Sequence, residues 1–180
     1  MRIITGFYKS RLLKTPKGIR PTEDRVRKAL FDILGDVSGL TFLELFAGSG
    51  SVGLEALSQG AQEVFFVEHL RQAGLALEEN IKSLGCQDRV KVICQDAFRA
   101  IENIRQKGRK FDLIFADPPY YQGLAEKILQ TLGECDILHK SGYIIIQHFK
   151  KDFLAEKAGN LALWRQEQYG DSLLSFYSRK

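Results

Sequence analysis

From Thr41 onward the chain alternates short, nearly continuous apolar runs with longer segments whose apolar residues recur every three or four positions. The short runs are 41–46, 63–68, 90–94, 111–116 and 142–148, and the stretches between them are 50–59, 70–84, 97–107 and 122–133. A continuous apolar run marks a strand buried on both faces, and a helix-length segment between two such strands makes the crossover of a βαβ unit. Within 70–84, Leu75, Leu77, Ile81 and Leu84 supply the apolar stripe. The last third changes period: 161–169 and 172–178 flank Gly170-Asp171, a turn signal between two strand-like runs. The pattern predicts a doubly wound, mostly parallel α/β sheet that ends in an antiparallel hairpin.

Ahead of this body, residues 2–5 and 11–14 flank Gly6 to Ser10 and predict a hairpin projecting from it. Pro21-Thr22 followed by Glu23 and Asp24 reads as a helix start, and Val26, Ala29, Leu30, Ile33 and Leu34 recur at helical spacing up to Gly35. Arg25, Arg27 and Lys28 fall on its polar face. The expected organisation is an N-terminal appendage over 1–35, hairpin plus helix, and a main domain over 36–180.

Charge separates the same two parts. Residues 1–28 carry nine Lys or Arg against only Glu23 and Asp24, a net +7 in a chain of net +4, so the rest is mildly acidic. A polyanion suits such an arm, although a solvated terminal segment has the same composition. With 180 residues and 44% hydrophobic content the chain has enough apolar surface for one core without a disulfide or metal staple. Cys86, Cys94 and Cys135 are odd in number and lack C-x-x-C spacing, which argues against a secreted disulfide framework and a structural zinc site. No apolar run approaches the roughly 20 residues that span a bilayer. The expectation is a cytoplasmic protein with no signal peptide, membrane anchor or metal.

The first candidate chemistry lies at 43–53, Leu43-Glu44-Leu45-Phe46-Ala47-Gly48-Ser49-Gly50-Ser51-Val52-Gly53, which ends a strand and opens a helix with glycines spaced G-x-G-x-x-G. This is the nucleotide-loop position of a doubly wound fold: glycines let the backbone turn sharply and a ligand approach it, and the helix N-terminus offers N–H donors. Glu68 closes the next strand, where an acidic residue accepts hydrogen bonds from ribose hydroxyls, and Asp96 follows the third strand, in reach of an adenine amine. Three strand ends thus outline an adenosine site. NAD(H) fits this much of the pattern as well as a sulfonium cofactor does. Glu44 is placed to bind a cationic group, and the chain is short for a dehydrogenase's separate substrate domain, which favours the sulfonium. Ser49 to Gly53 approaches a nucleophile elbow but has Ser at the first glycine position and no clear Asp and His partners, and no G-x-x-x-x-G-K-[ST] occurs.

The second lies where the run 111–116 ends in Asp117-Pro118-Pro119-Tyr120. Two prolines stiffen this turn at the edge of the sheet where open α/β folds place their sites. A rigid turn can hold a carboxylate, a backbone carbonyl and an aromatic ring in fixed relation to one flat base. The nitrogen of an exocyclic base amine is delocalised into its ring and attacks a methyl poorly. Hydrogen bonds from its two N–H groups to the Asp117 carboxylate and the Pro118 carbonyl would orient it and stabilise developing positive charge, while Tyr120 stacks on the base. Ring-carbon methylation calls for a nucleophilic cysteine, and none lies beside this turn.

In these residues the chain resembles the RsmD-type guanine-N2 methyltransferases of bacterial small-subunit (16S) ribosomal RNA. The resemblance rests on Arg2 to Gly6 with Lys9-Ser10-Arg11, Arg20-Pro21-Thr22 with Arg25-Val26-Arg27, Leu45 to Gly50, Phe66-Val67-Glu68, Asp117 to Tyr120, and Tyr169-Gly170-Asp171 with Leu174 to Tyr177. It implies a Rossmann-like methyltransferase domain and S-adenosylmethionine as cofactor, with Gly48 and Gly50 near its methionine part, Glu68 on its ribose and Asp96 near its adenine. Phe46, Glu44 and Thr22 join these as cofactor contacts. It implies that Asp117, Pro118 and Tyr120 hold the target guanine, and that Arg2, Lys9, Arg11, Arg20 and Arg25 engage small-subunit rRNA or the small-subunit particle. His69-Leu70 and Gln147 depart from the family's usual residues. The competing expectations are a DNA adenine-N6 or cytosine-N4 methyltransferase, a non-catalytic RNA-binding assembly factor, and a small NAD-dependent oxidoreductase.

Overall fold

The computed structural model describes residues 1–16, 22–120 and 122–180, which form two compact units, Met1–Asp96 and Ala97–Lys180. The first contains helix α1 (Asp24–Leu34), strand β1 (Thr41–Leu45), α2 (Ser51–Ser58), β2 (Glu63–Val67), α3 (Arg71–Leu84) and β3 (Val90–Ile93). Its strands run parallel in the order β3-β2-β1, with Leu45 opposite Val67 and Val67 opposite Ile93, so all three end at one edge. β1 and β2 are buried from their second residue on, which is why their sequences read as unbroken apolar runs.

The apolar faces of two helices sit differently from the expected stripes. α3 buries Ala73, Leu77, Asn80, Ile81 and Leu84, while Leu75 is exposed. α1 buries Val26, Arg27, Leu30 and Phe31. Arg27, expected on the polar face, has no exposed surface: its Nη2 donates to the Arg2 carbonyl at 2.6 Å and to Asp24 Oδ1 at 3.0 Å, and its Nε lies 3.4 Å from Glu55 Oε2. Phe31, one turn on, draws that face inward, and the guanidinium is tolerated there because a carboxylate and a carbonyl meet it.

The N-terminal arm is bridged between Arg2 and Leu12, as the hairpin reading anticipates, but it does not project. The Glu55 carboxylate accepts the N–H groups of Ile4 and Thr5, each at 2.8 Å. The Ser58 carbonyl accepts the Phe7 N–H at 2.7 Å, and its hydroxyl accepts the Tyr8 N–H at 2.9 Å and donates to the Thr5 carbonyl. Gly6 makes the approach possible: a Cβ there would lie 1.9 Å from the Ser58 carbonyl oxygen. Ile3, Tyr8 and Leu13 are buried beneath the arm.

The second unit contains α4 (Ala97–Gln106), β4 (Phe111–Ala116), α5 (Leu124–Glu134), β5 (Leu138–Phe149), β6 (Lys157–Ala158), β7 (Leu161–Tyr169) and β8 (Ser172–Arg179). β4 and β5 pair in parallel and the remaining pairs are antiparallel, in the order β4-β5-β8-β7-β6. β5 begins four residues before the apolar run that announced it. Its early segment, His139-Lys140-Ser141-Gly142, is polar, and the register slips between Phe111 and Leu113, where a Cβ on Gly142 would lie 2.5 Å from the Asp112 carbonyl. The β7–β8 hairpin turns through Gly170-Asp171 as expected, with Tyr169 opposite Ser172. Among the described residues no helix is long and apolar enough to cross a membrane.

Candidate functional site

In the first unit the adjacent parallel strands deliver Gly48, Glu68 and Asp96 just beyond their carboxyl ends, the position at which open α/β sheets bind ligands. The backbone after β1 turns through left-handed conformations at Phe46 (φ 58°), Gly48 (φ 56°) and Gly50 (φ 78°). A phenylalanine in that region is strained, and such strain concentrates at functional sites. The loop is pinned from several sides. Ala47 N–H donates to the Val67 carbonyl at 3.0 Å, and the Glu68 carboxylate accepts the N–H of Gly48 at 2.8 Å through one oxygen and that of Leu70 at 2.7 Å through the other.

Glu44 is 3% exposed and accepts the Gly53 N–H at 2.7 Å, so one of its oxygens braces the first turn of α2. Packing accounts for two of the three motif glycines. A Cβ on Gly53 would lie 2.5 Å from Phe66 and 2.8 Å from that Glu44 oxygen, and one on Gly50 would lie 2.3 Å from Leu77 Cδ1. Gly48 differs: its amide is fixed by Glu68, whose buried carboxylate has lone pairs beyond the two that these N–H groups take. An acidic strand end with unused lone pairs beside a sharply turned loop suits the hydroxyls of a ribose. Thr22 is buried just ahead of α1, and Asp96 is exposed.

On the arm, Arg2, Lys9 and Arg25 are exposed. Arg11 is exposed too, but its guanidinium donates to the Ser83 carbonyl at 2.8 Å, where a cation complements the carboxyl end of α3. Arg20 lies outside the described residues.

In the second unit, Asp117, Pro118, Pro119 and Tyr120 leave β4 directly. Pro118 is buried, Pro119 exposed, and Asp117 and Tyr120 half-buried. Ala116 pairs with Ile146, which puts the turn beside Gln147 on β5. Tyr120 is held by its hydroxyl: Ser172 Oγ lies at 2.8 Å and Gln147 Nε2 donates to it at 3.4 Å, while its ring centroid stands 5.9 Å from that of Phe149. Gln147 is 5% exposed, and its Oε1 is buried without a hydrogen-bond partner.

A family model described as conserved hypothetical protein 95 matches residues 1–178. The chain belongs to this family, the RsmD family. A Bacillus subtilis (strain 168) relative named "Putative rRNA methyltransferase YlbH" is 34% identical over 183 residues, covering 100% of both chains. Ribosomal RNA small subunit methyltransferase D of Escherichia coli (strain K12) is 32% identical over 183 residues, covering 100% of this chain and 90% of that one. Among solved structures, an Escherichia coli protein named "Putative methyltransferase yhhF" superposes with a TM-score of 0.88 at 32% identity, over 100% of this chain and 98% of the other. That full-length likeness gives the chain the mixed α/β methyltransferase fold with a mostly parallel sheet and antiparallel strands toward its end.

Several side chains that organise these sites are absent from the sequence reading. Glu55, Asn80 and Ser172 are polar residues that nothing in their local sequence marks out, and each is buried with its hydrogen bonds directed at the arm, the glycine loop or Tyr120. The usable signal for Asn80 is its spacing, three residues after Leu77 and four before Leu84 on the inward face of α3.

Proposed function

We propose that this protein transfers a methyl group from S-adenosylmethionine to the exocyclic N2 amine of one guanine in small-subunit (16S) ribosomal RNA. The observation that carries the reading is the Asp117 to Tyr120 turn, built onto the carboxyl end of a buried strand and fixed through the Tyr120 hydroxyl. The names of two relatives, an rRNA methyltransferase and ribosomal RNA small subunit methyltransferase D, support the choice of ribosomal RNA. Residues 1–35, with Arg2, Lys9, Arg11, Arg20 and Arg25, serve as the RNA-engaging appendage, and the work is done in the cytoplasm without a metal.

The cofactor, when bound, supplies an electrophilic methyl on a sulfonium. Phe46, Gly48 and Gly50 line its methionine part, Glu68 accepts from its ribose hydroxyls and Asp96 from its adenine amine. Glu44 contributes negative potential toward the cationic end, and Thr22 hydrogen-bonds the carboxylate. These assignments fit the strained loop and the buried carboxylate beside it. The target guanine leaves its stack, because an amine within a paired helix cannot meet the methyl. The Asp117 carboxylate and Pro118 carbonyl would accept the two N–H groups of the amine, holding its lone pair out of conjugation and stabilising the positive charge that develops as the N–C bond forms and the methyl–sulfur bond breaks to leave a neutral thioether. Tyr120 stacks on the base. Asp117 takes the proton that the nitrogen loses and passes it to water.

The test is incubation with radiolabelled S-adenosylmethionine and small-subunit particles from a strain lacking the corresponding gene, followed by nucleoside analysis. Labelled N2-methylguanosine is the expected product. Another labelled base overturns the target atom, labelled DNA overturns the RNA, and no label on any nucleic acid favours a non-catalytic RNA-binding module.

A further inference from the structure

Asn80 joins the N-terminal arm to the glycine loop. It is 1% exposed, and both ends of its carboxamide are engaged: Oδ1 accepts the Lys14 N–H at 2.7 Å, and Nδ2 donates to the Lys14 carbonyl at 3.0 Å and to the Ser49 carbonyl at 3.0 Å. The two bonds to Lys14 are the pair that a neighbouring strand residue would exchange with it, so one side chain stands in for a strand at the end of the arm. The third reaches the loop residue between Gly48 and Gly50. One helical step earlier on the same face, Leu77 packs so closely that a Cβ on Gly50 would lie 2.3 Å from its Cδ1. α3 therefore fixes the loop at two consecutive residues, and the planar amide that does so also holds the arm. Neither Lys14 nor Ser49 can shift against Asn80 without breaking one of these bonds. At the arm's other end Glu55 and Ser58 of α2 hold residues 4–8.

We infer that Asn80 is a positioning residue that couples the arm to the cofactor loop, so that RNA on the arm tightens the loop's hold on the methyl donor. By linkage the donor then tightens the arm's hold on RNA to the same extent. The inference rests on the function proposed above, in which the loop takes the cofactor and the arm takes RNA.

The test is calorimetric titration of the full chain with S-adenosylhomocysteine, alone and with saturating deproteinised 16S rRNA, together with hydrogen exchange of the segments 12–15 and 46–53. In the wild type RNA tightens S-adenosylhomocysteine, by a factor within the roughly 5- to 150-fold usual for coupled sites. Asn80→Ala weakens S-adenosylhomocysteine about tenfold, the effect of one hydrogen bond. It also abolishes the response to RNA and speeds exchange in both segments together. Asn80→Ser removes the bridge without placing a charge against the Lys14 and Ser49 carbonyls, so it reproduces the weakened binding if the alanine variant does not fold. Ser58→Ala loosens residues 5–8 of the arm and leaves the affinity for S-adenosylhomocysteine unchanged. Binding by both Asn80 variants as tight as wild type, or an RNA response that is absent from the wild type or persists in the variants, overturns the coupling. A wild type that binds no S-adenosylhomocysteine overturns the proposed function, and the coupling with it.

Discussion

The Glu68 carboxylate accepts the Gly48 N–H at 2.8 Å, so the acidic residue that closes β2 also sets the conformation of the loop that follows β1. The two features that read separately in the sequence, a glycine loop and an acidic strand end, are one hydrogen-bonded unit. Removing either partner disturbs both.

Glu68→Ala follows directly. It removes the acceptor of the Gly48 and Leu70 N–H groups; a charge-assisted bond contributes about 1.5–3 kcal/mol, and water replaces the one at exposed Leu70. The expected result is a loss of stability of about 2 kcal/mol by urea titration and at least a hundredfold weaker binding of S-adenosylhomocysteine. Glu68→Gln, which retains one acceptor, should recover most of the stability and only part of the binding. Equal affinity in all three proteins would remove Glu68 from the cofactor site.

Asp117→Ala separates binding from chemistry. In the proposed function the carboxylate orients and stabilises the amine, so methyl transfer should fall by about 10²–10³-fold, the usual effect of removing one such group. Binding of S-adenosylhomocysteine and of rRNA should stay within twofold of wild type. Tyr120→Phe keeps the ring and removes the hydroxyl that Ser172 and Gln147 hold. It should raise KM for RNA more than it lowers kcat, because the ring can still stack but is no longer fixed. A Tyr120→Phe enzyme with unchanged kinetics would show that the ring is held by packing alone.

Arg27 is a matter of stability. Its guanidinium is wholly buried against Glu55, Asp24 and the Arg2 carbonyl, and Glu55 in turn holds the backbone of the arm. Arg27→Ala leaves the Glu55 carboxylate buried without its cation, which costs about 3–5 kcal/mol. A loss of unfolding free energy of that size is expected by denaturant titration, with faster hydrogen exchange over residues 2–5. Arg27→Lys should rescue little, since a single ammonium cannot reach all three acceptors.

Arg27 also shows where the sequence misleads. The helices beyond Thr41 and all the strands but β6 are legible because each is either largely apolar or regularly amphipathic, and their observed limits differ from the expected ones by at most two residues except in β5; the two-residue β6 has no such pattern. Periodicity treats a charged residue as facing solvent. It therefore misplaced Arg27, passed over Asn80 and Glu55, and counted Leu75 into a stripe from which it points away. The burial of Arg27, Glu55 and Asn80 depends on which partner a helix face meets, and that information lies 25 to 66 positions away in Arg2, Ile4, Lys14 and Ser49. The packing of the arm is illegible for the same reason: a basic segment with one glycine gives no sign that a distant serine carbonyl will lie against that glycine. The motifs themselves, G-x-G-x-x-G and D-P-P-Y, were visible because their constraints are local.

The thiols differ by environment. Cys86 is 3% exposed, its Sγ lies 3.6 Å from the Ile81 carbonyl, and burial pushes its thiol above the ordinary range. Cys94, directly after β3, is exposed. Maleimide at pH 7 should label Cys94 within minutes and reach Cys86 only at the rate of unfolding, with peptide mapping to tell them apart. Comparable rates at both would mean that the packing around the end of α3 opens readily in solution.

His148 gives stability a dependence on pH on the acid side. It is 1% exposed, with Nε2 2.8 Å from the Ser175 hydroxyl and Nδ1 3.1 Å from the Phe149 carbonyl, and burial holds its pKa below the ordinary 6.5. Because the folded state resists protonation, the unfolded chain binds the proton first as the pH falls. The contribution of neutral His148 to stability is therefore complete above pH 6.5 and declines below it, until the folded-state pKa is passed. Denaturant midpoints taken from pH 8 down to pH 5 should fall on the acid side with a slope that His148→Gln reduces, since glutamine can bond Ser175 and has no proton to gain. An identical acid slope in the variant would assign the loss to other groups, with carboxylates titrating at lower pH as the next candidates.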